Sequence, residues 1–208
     1  MKRREFVKIG GLGTTALIID GCKASGNTEI KEILPITNLD QTKVISTWSS
    51  GLKANQSANN VLKKNGSALD AIEKGLNVIE SDPENSSVGI GGLPDANGNV
   101  TLDACIMDHE FNCGSVSYLQ NIENPISVAR KVMEDTPHVM LSGEGAYNFA
   151  MKNGFKHTNL LTENSKKSWK EWKKENNYKL PAINHENHDT IAMIALDHQG
   201  NLATGCTT

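Results

Sequence analysis

The stretch HENHDTIAMIALDHQGNLATGCTT, residues 185–208, changes character at one peptide bond. Up to Asp189 it is polar and irregular; from Thr190 onward it is largely apolar. TIAMIALD (190–197) and LATGCTT (202–208) flank HQGN (198–201), which reads as a β-hairpin closed by a short glycine-containing turn. A hairpin of two apolar strands cannot bury both faces by itself, so it belongs in a larger sheet covered by other layers. On the same ground the 208 residues are expected to be a fragment of a longer chain.

Working back from the hairpin, AINHENHD (182–189) is a loop without regular pattern that follows Pro181. Residues 162–179 are rich in lysine and glutamate, with Trp169 and Trp172 three apart, the pattern of a surface helix resting both indoles on the body. NPISVARKVMEDTPHVMLSGEGAYNFAMKNG (124–154) predicts two helices, with Pro125 early in the first and Gly154 closing the second. SVGIGGLPDANGNVTLDACIMD (87–108) predicts a tight loop, a turn at Asn97-Gly98 and a strand through Val100, Leu102, Ala104 and Ile106. Its GIGG does not suit a phosphate cradle, because no Lys-Ser/Thr pair follows and the next element is a strand.

Further upstream, Ser67 caps SALDAIEKGLNVIESD, whose Leu69, Ile72, Leu76 and Ile79 make one apolar stripe and which Pro83 stops. Asn55 or Ser57 is expected to cap a preceding helix that runs to about Lys64 and ends at Gly66. KVISTWSS (43–50) predicts the first strand. Strands early and late with helices between them point to a layered α+β domain.

The first 22 residues read differently. Arg3-Arg4 precede a weakly apolar run over 9–19, the layout of an export signal of twin-arginine type. That run is far short of the ~20 residues a spanning helix needs, so no stable membrane span is expected. Cys22 after Gly21 fits a lipoprotein cleavage site, although the charge of Asp20 beside it suits that processing poorly. The organisation expected is therefore signal (1–22), linker (23–41), and a domain over 42–189 and 190–208, exported to the periplasm or secreted. Twenty-one basic and 24 acidic side chains, for a formal charge of −3, leave no basic face for nucleic acid. One of the four cysteines lies in the leader, and the odd number remaining does not make a disulfide framework.

Three constellations bear on chemistry. Cys105, His109 and Cys113 are spaced four apart, but Cys105 falls in a strand pattern and Gly114 follows Cys113, so they do not converge on zinc. His185, His188 and Asp189 lack a regular scaffold and a fourth ligand. No metal and no cofactor is expected. The third is Thr190. A threonine hydroxyl is a poor nucleophile without an adjacent base. Cutting the bond before Thr190 would supply one, since a freed α-amino group with a pKa of about 7.7–8.0 is partly neutral near pH 7. Residue types alone leave open the plainer reading, a β-branched residue in a strand.

STW (46–48), VGIGGLPDANGNVTLDACIMD (88–108), PISVARKVMEDTPHVMLSGEGA (125–146) and HDTIAMIALDHQGNLATGCTT (188–208) stand in one order along the chain. In this the sequence resembles the glycosylasparaginases, which are N-terminal nucleophile hydrolases. The resemblance covers about 43–208, the α subunit of that family and the first hairpin of its β subunit. It implies a four-layer αββα sandwich, of which these residues supply one helical layer and part of the sheets. It also implies self-cleavage between Asp189 and Thr190, Thr190 as nucleophile, Thr208 as a hydroxyl beside it, and Trp48 in the substrate pocket. The implied substrate is a glycoasparagine, and the implied assembly a homodimer of cleaved αβ heterodimers. The family's carboxylate-gripping and oxyanion residues correspond to positions beyond Thr208, so the 208 residues alone are expected to be inactive. A broader asparaginase or isoaspartyl peptidase, and a binding protein without turnover, are the alternatives.

Overall fold

A computed structural model describes residues 42–175 and 190–208. The first strand, β1 (Lys43–Ser46), leads into α1 (Gly51–Leu62) and α2 (Ala68–Glu80). β2 (Leu102–Met107) and β3 (Cys113–Leu119) form a hairpin, followed by α3 (Pro125–Asp135), β4 (Met140–Ser142), α4 (Gly143–Lys152) and α5 (Glu163–Glu175). β5 (Ile191–Leu196) and β6 (Leu202–Thr207) complete the described chain. The α+β class expected from the sequence is what the residues build.

The strands form one sheet in the order β1-β5-β6-β2-β3-β4. Every neighbouring pair is antiparallel except β3 with β4. One face carries Ile191, Met193, Ala195, Ala203, Ala104, Ile106 and Val116 into a core shared with Ile72, Leu76 and Ile79 of α2 and Ile126 and Val132 of α3. α2 takes its place as the stripe predicts: the Ser67 hydroxyl accepts the Asp70 amide at 3.1 Å, satisfying one of the free donors at the helix start. Gly205 lets the helices approach β6. A Cβ there would lie 2.5 Å from Ile72 Cγ2 and 3.0 Å from Leu76 Cδ1. Arg130 of α3 then ties the helices together through Asp70 at 2.7 Å and Glu73 at 2.8 Å, both on α2.

The opposite face of the sheet is uncovered among the described residues, with Ile45 67% and Ile194 47% exposed. The described residues thus supply one helical layer and one sheet of the four-layer arrangement.

Three turns share one chemistry. In Asp95–Asn99, Asp108–Asn112 and Asp197–Asn201 the aspartate Oδ1 accepts the amides two and four residues on, at 2.8–2.9 Å. The fourth residue of each has positive φ: Gly98 at 94°, Phe111 at 65°, Gly200 at 79°. Glycine adopts that conformation freely, whereas Phe111 does so at a cost.

Several expectations are corrected. α1 begins at Gly51, not at Asn55 or Ser57, both of which lie inside it. β3 and β4 were not expected from the sequence. Of the two indoles on α5, Trp169 packs on Gly98, but Trp172 is 46% exposed. The AINHENHD loop lies outside the described residues.

Gly205→Ala is expected to destabilise the protein by about 1–3 kcal/mol through overpacking against Ile72 and Leu76. Urea unfolding of the whole protein, wild type against variant, measures it.

Candidate active site

The site forms where β5 begins and β6 ends. Ile191 pairs with Thr207 in the register of the two strands, so Thr190 and Thr208 lie one step beyond, opposite one another. Alternation along a strand puts both on the face away from the buried Ile191 and Thr207. The Thr208 amide donates to the Asp103 carbonyl at 3.0 Å, which extends the β6–β2 ladder by a residue.

The STW segment reaches this point from the other end of the chain. The Thr47 amide donates to the Ala192 carbonyl at 3.0 Å, and the Thr47 hydroxyl accepts the Ala192 amide at 3.0 Å. The Trp48 indole Nε1 donates to the Thr190 carbonyl at 2.9 Å. Trp48 holds φ at 65°, a costly conformation for a bulky residue that the two strands sustain here. The candidate nucleophile is thereby held through its own backbone.

A cavity of roughly 380 Å³ opens beside these residues, lined among others by Trp48, Ser50, Lys53, Asp82, Ser87 and Thr190. The loop after α2 builds one wall. Asp82 Oδ1 accepts the Glu84 amide at 3.1 Å, and Asn85 Oδ1 accepts the amides of Ser87 at 2.8 Å and Val88 at 3.2 Å. Lys53 Nζ donates to Asp82 Oδ2 at 3.0 Å, and that hydrogen bond holds the Asp82 carboxyl below the usual range. The glycines serve packing: at Gly89, with φ 69°, a Cβ would collide with the Glu80 carbonyl oxygen.

Behind the wall lies Glu80, fully buried at the end of α2. Its carboxylate accepts the Thr207 hydroxyl at 2.6 Å, the Ile126 amide at 2.9 Å and Asn124 Nδ2 at 3.3 Å. Burial pushes its carboxyl up to about 7, and these hydrogen bonds oppose the rise.

Of the residues singled out in the sequence, the fold brings together Thr190, Thr208 and Trp48. Asp189, His185 and His188 lie outside the described residues. Cys105 pairs with Cys206 across β2 and β6, Cys113 opens β3, and His109 sits in the turn between β2 and β3. Cys105, Cys113 and Cys206 are free thiols. Among the described residues no group of three histidine, cysteine or acidic side chains could hold a metal ion. Sequence reasoning missed Ser50, Lys53, Asp82, Ser87 and Glu80, which converge only through the fold.

A family model described as asparaginase matches residues 16–208. This chain belongs to the asparaginase family. Among its relatives, the N(4)-(β-N-acetylglucosaminyl)-L-asparaginase of Elizabethkingia miricola is 55% identical over 206 residues, 99% of this chain and 59% of the relative. The enzyme of that name from Rattus norvegicus is 35% identical over 79% of this chain and 56% of its own length. The isoaspartyl peptidase/L-asparaginase of Rattus norvegicus is 40% identical over 75% of this chain and 47% of its own. The chain thus spans about half to three fifths of the length of these asparaginase relatives.

The Glu80 carboxyl gives a signed pH dependence. Below about pH 4.5, the ordinary value, the group is protonated in both folded and unfolded chains. Between there and about 7 the unfolded chain releases its proton while the folded chain keeps it, so stability falls as pH rises. The loss amounts to up to about 3 kcal/mol and levels off above that window. Glu80→Gln is expected to flatten this part of the profile, measured as unfolding midpoints across the window.

Proposed function

We propose that this chain carries the self-cleavage site and the nucleophile of an amidohydrolase acting on glycoasparagines. The observation that carries the reading is the placement of Thr190 opposite Thr208 at the end of two paired strands, with the Trp48 indole on the Thr190 carbonyl. The name of the 55% identical relative supports the substrate class.

In the first reaction the Thr190 hydroxyl attacks the Asp189 carbonyl carbon. The acyl group passes from nitrogen to oxygen, and water hydrolyses the ester, leaving Asp189 as a carboxyl terminus and Thr190 with a free α-amino group. That amine then takes the proton of its own hydroxyl. The oxygen attacks the side-chain amide carbon of the substrate asparagine, and the amino sugar leaves with the proton. A second water hydrolyses the resulting β-aspartyl ester, releasing aspartate and restoring the hydroxyl. Thr208 hydrogen-bonds the nucleophilic oxygen in this scheme, and Trp48 lines the pocket while fixing the Thr190 backbone. No metal or cofactor takes part.

The leader reading places the protein in the periplasm or outside the cell, and the family resemblance favours a homodimer of cleaved αβ pairs. Among the described residues no helix is long and apolar enough to cross a membrane. A second reading, an isoaspartyl peptidase or L-asparaginase, draws on the 40% identical relative of that name. A binding protein without turnover would leave the chain uncut.

In the whole protein, gel and mass analysis should find two pieces, one beginning Thr190-Ile191-Ala192. Thr190→Ala should abolish the cut and lower turnover by at least about 10³-fold, while Thr190→Ser keeps part of each. Glycoasparagine should be preferred by about tenfold or more in kcat/KM over free asparagine and β-aspartyl dipeptides. A Thr190→Ala protein that still splits at this bond overturns the mechanism; equal or better turnover of β-aspartyl dipeptides selects the second reading.

A further inference from the structure

The proposed reaction makes no use of the Glu80 side chain, yet this residue joins four elements through its backbone and its carboxyl group. Its carbonyl oxygen accepts the Ile90 amide at 2.8 Å, holding the glycine loop of the cavity wall. Its Oε1 accepts the Ile126 amide at 2.9 Å and the Thr207 hydroxyl at 2.6 Å. Pro125 has no N–H, so Ile126 offers the first free amide of α3, and Asn124 before it makes no side-chain cap bond. The carboxyl group of Glu80, from another helix, performs that capping by accepting the Ile126 amide.

Capping alone would not require a partner on the sheet. Thr207 closes β6, is fully buried, and precedes Thr208. The end of β6 is gripped from two sides: its backbone by the Asp103 carbonyl on β2, and the Thr207 side chain by Glu80 in the helical layer. Strand ends open more readily than strand centres, and a short buried hydrogen bond, whose partners would be left unsatisfied if it broke, opposes such opening. We propose that Glu80 is a positioning residue, which through the Thr207 hydroxyl fixes the end of β6 and thus the placement of Thr208 opposite Thr190. This rests on the reading of Thr208 as the hydroxyl beside the nucleophile. It acts on chemistry more than on substrate affinity, because neither Glu80 nor Thr207 lines the cavity.

The test compares wild type, Thr207→Val and Thr207→Ser in the whole protein. Valine keeps shape and burial and removes the hydroxyl; serine keeps the hydroxyl. Thr207→Val should lower kcat on glycoasparagine by roughly ten- to a hundredfold with KM within about threefold, and slow self-cleavage in parallel. Thr207→Ser should restore most of both rates. Wild-type rates in Thr207→Val, equal losses in the valine and serine variants, or a rise in KM at unchanged kcat would each overturn the proposal. Should Thr207→Val fail to fold, Glu80→Asp, which draws the carboxylate back by one methylene, decides: slower cleavage and lower kcat are expected, and wild-type values contradict. A wild-type protein that neither cuts itself nor turns over glycoasparagine would sink the functional reading itself, which separates that failure from this one.

Discussion

The structure depends on where β5 sits. Although it follows all the helices of the described residues, it lies inside the sheet, with β1 on one side and β6 on the other. Its register with β1 runs from Ser46↔Met193 to Lys43↔Leu196, and with β6 from Ile191↔Thr207 to Leu196↔Leu202. On the helical side Ile191 and Met193 are buried, each contributing about 1.5–3 kcal/mol. A cut before Thr190 would therefore remove a covalent link without unseating the strand. A nucleophile created by chain scission needs a strand held by its neighbours and not by the bond being broken. The Thr47 and Trp48 hydrogen bonds supply this grip at the end where the new amino group would appear.

Much of the fold was legible because local signals and global packing agree. The Ser67 cap, the Ile72–Leu76–Ile79 stripe and the HQGN turn each say the same thing at both levels. β3 was hidden for a specific reason. The turn before it, Asp108–Asn112, has the hydrogen bonds of the Asp197–Asn201 turn, but Phe111 occupies the position where Gly200 stands in the other. Without that glycine the hairpin signal disappears. α1 begins earlier than its sequence suggests for a related reason: Ser50 stands at its start with helical backbone and no side-chain cap bond, while Ser57, a better-looking cap, donates instead to the Lys74 carbonyl at 3.2 Å.

The candidate site was partly legible. Thr190, Thr208 and Trp48 came from residue order and family resemblance, and the fold brings all three to one end of the sheet. Ser87, Lys53 and Asp82 carry no spacing that marks them, since they meet only when α1 and the loop after α2 close over β5. Glu80 did leave a signal. A glutamate at a helix C-terminus opposes the helix dipole, and such a local conflict points to a partner elsewhere in the fold. That partner is the start of α3, where the same charge is favoured, together with the Thr207 hydroxyl.

The central claim is that the Thr190 oxygen, freed with its own amine and held on β5, becomes the attacking atom. Rapid-quench mass spectrometry of the whole protein during glycoasparagine turnover tests this most directly. The account predicts a transient aspartyl adduct confined to a peptide whose first residue is Thr190. An adduct on any other residue, or one carried by an uncut chain, would contradict it.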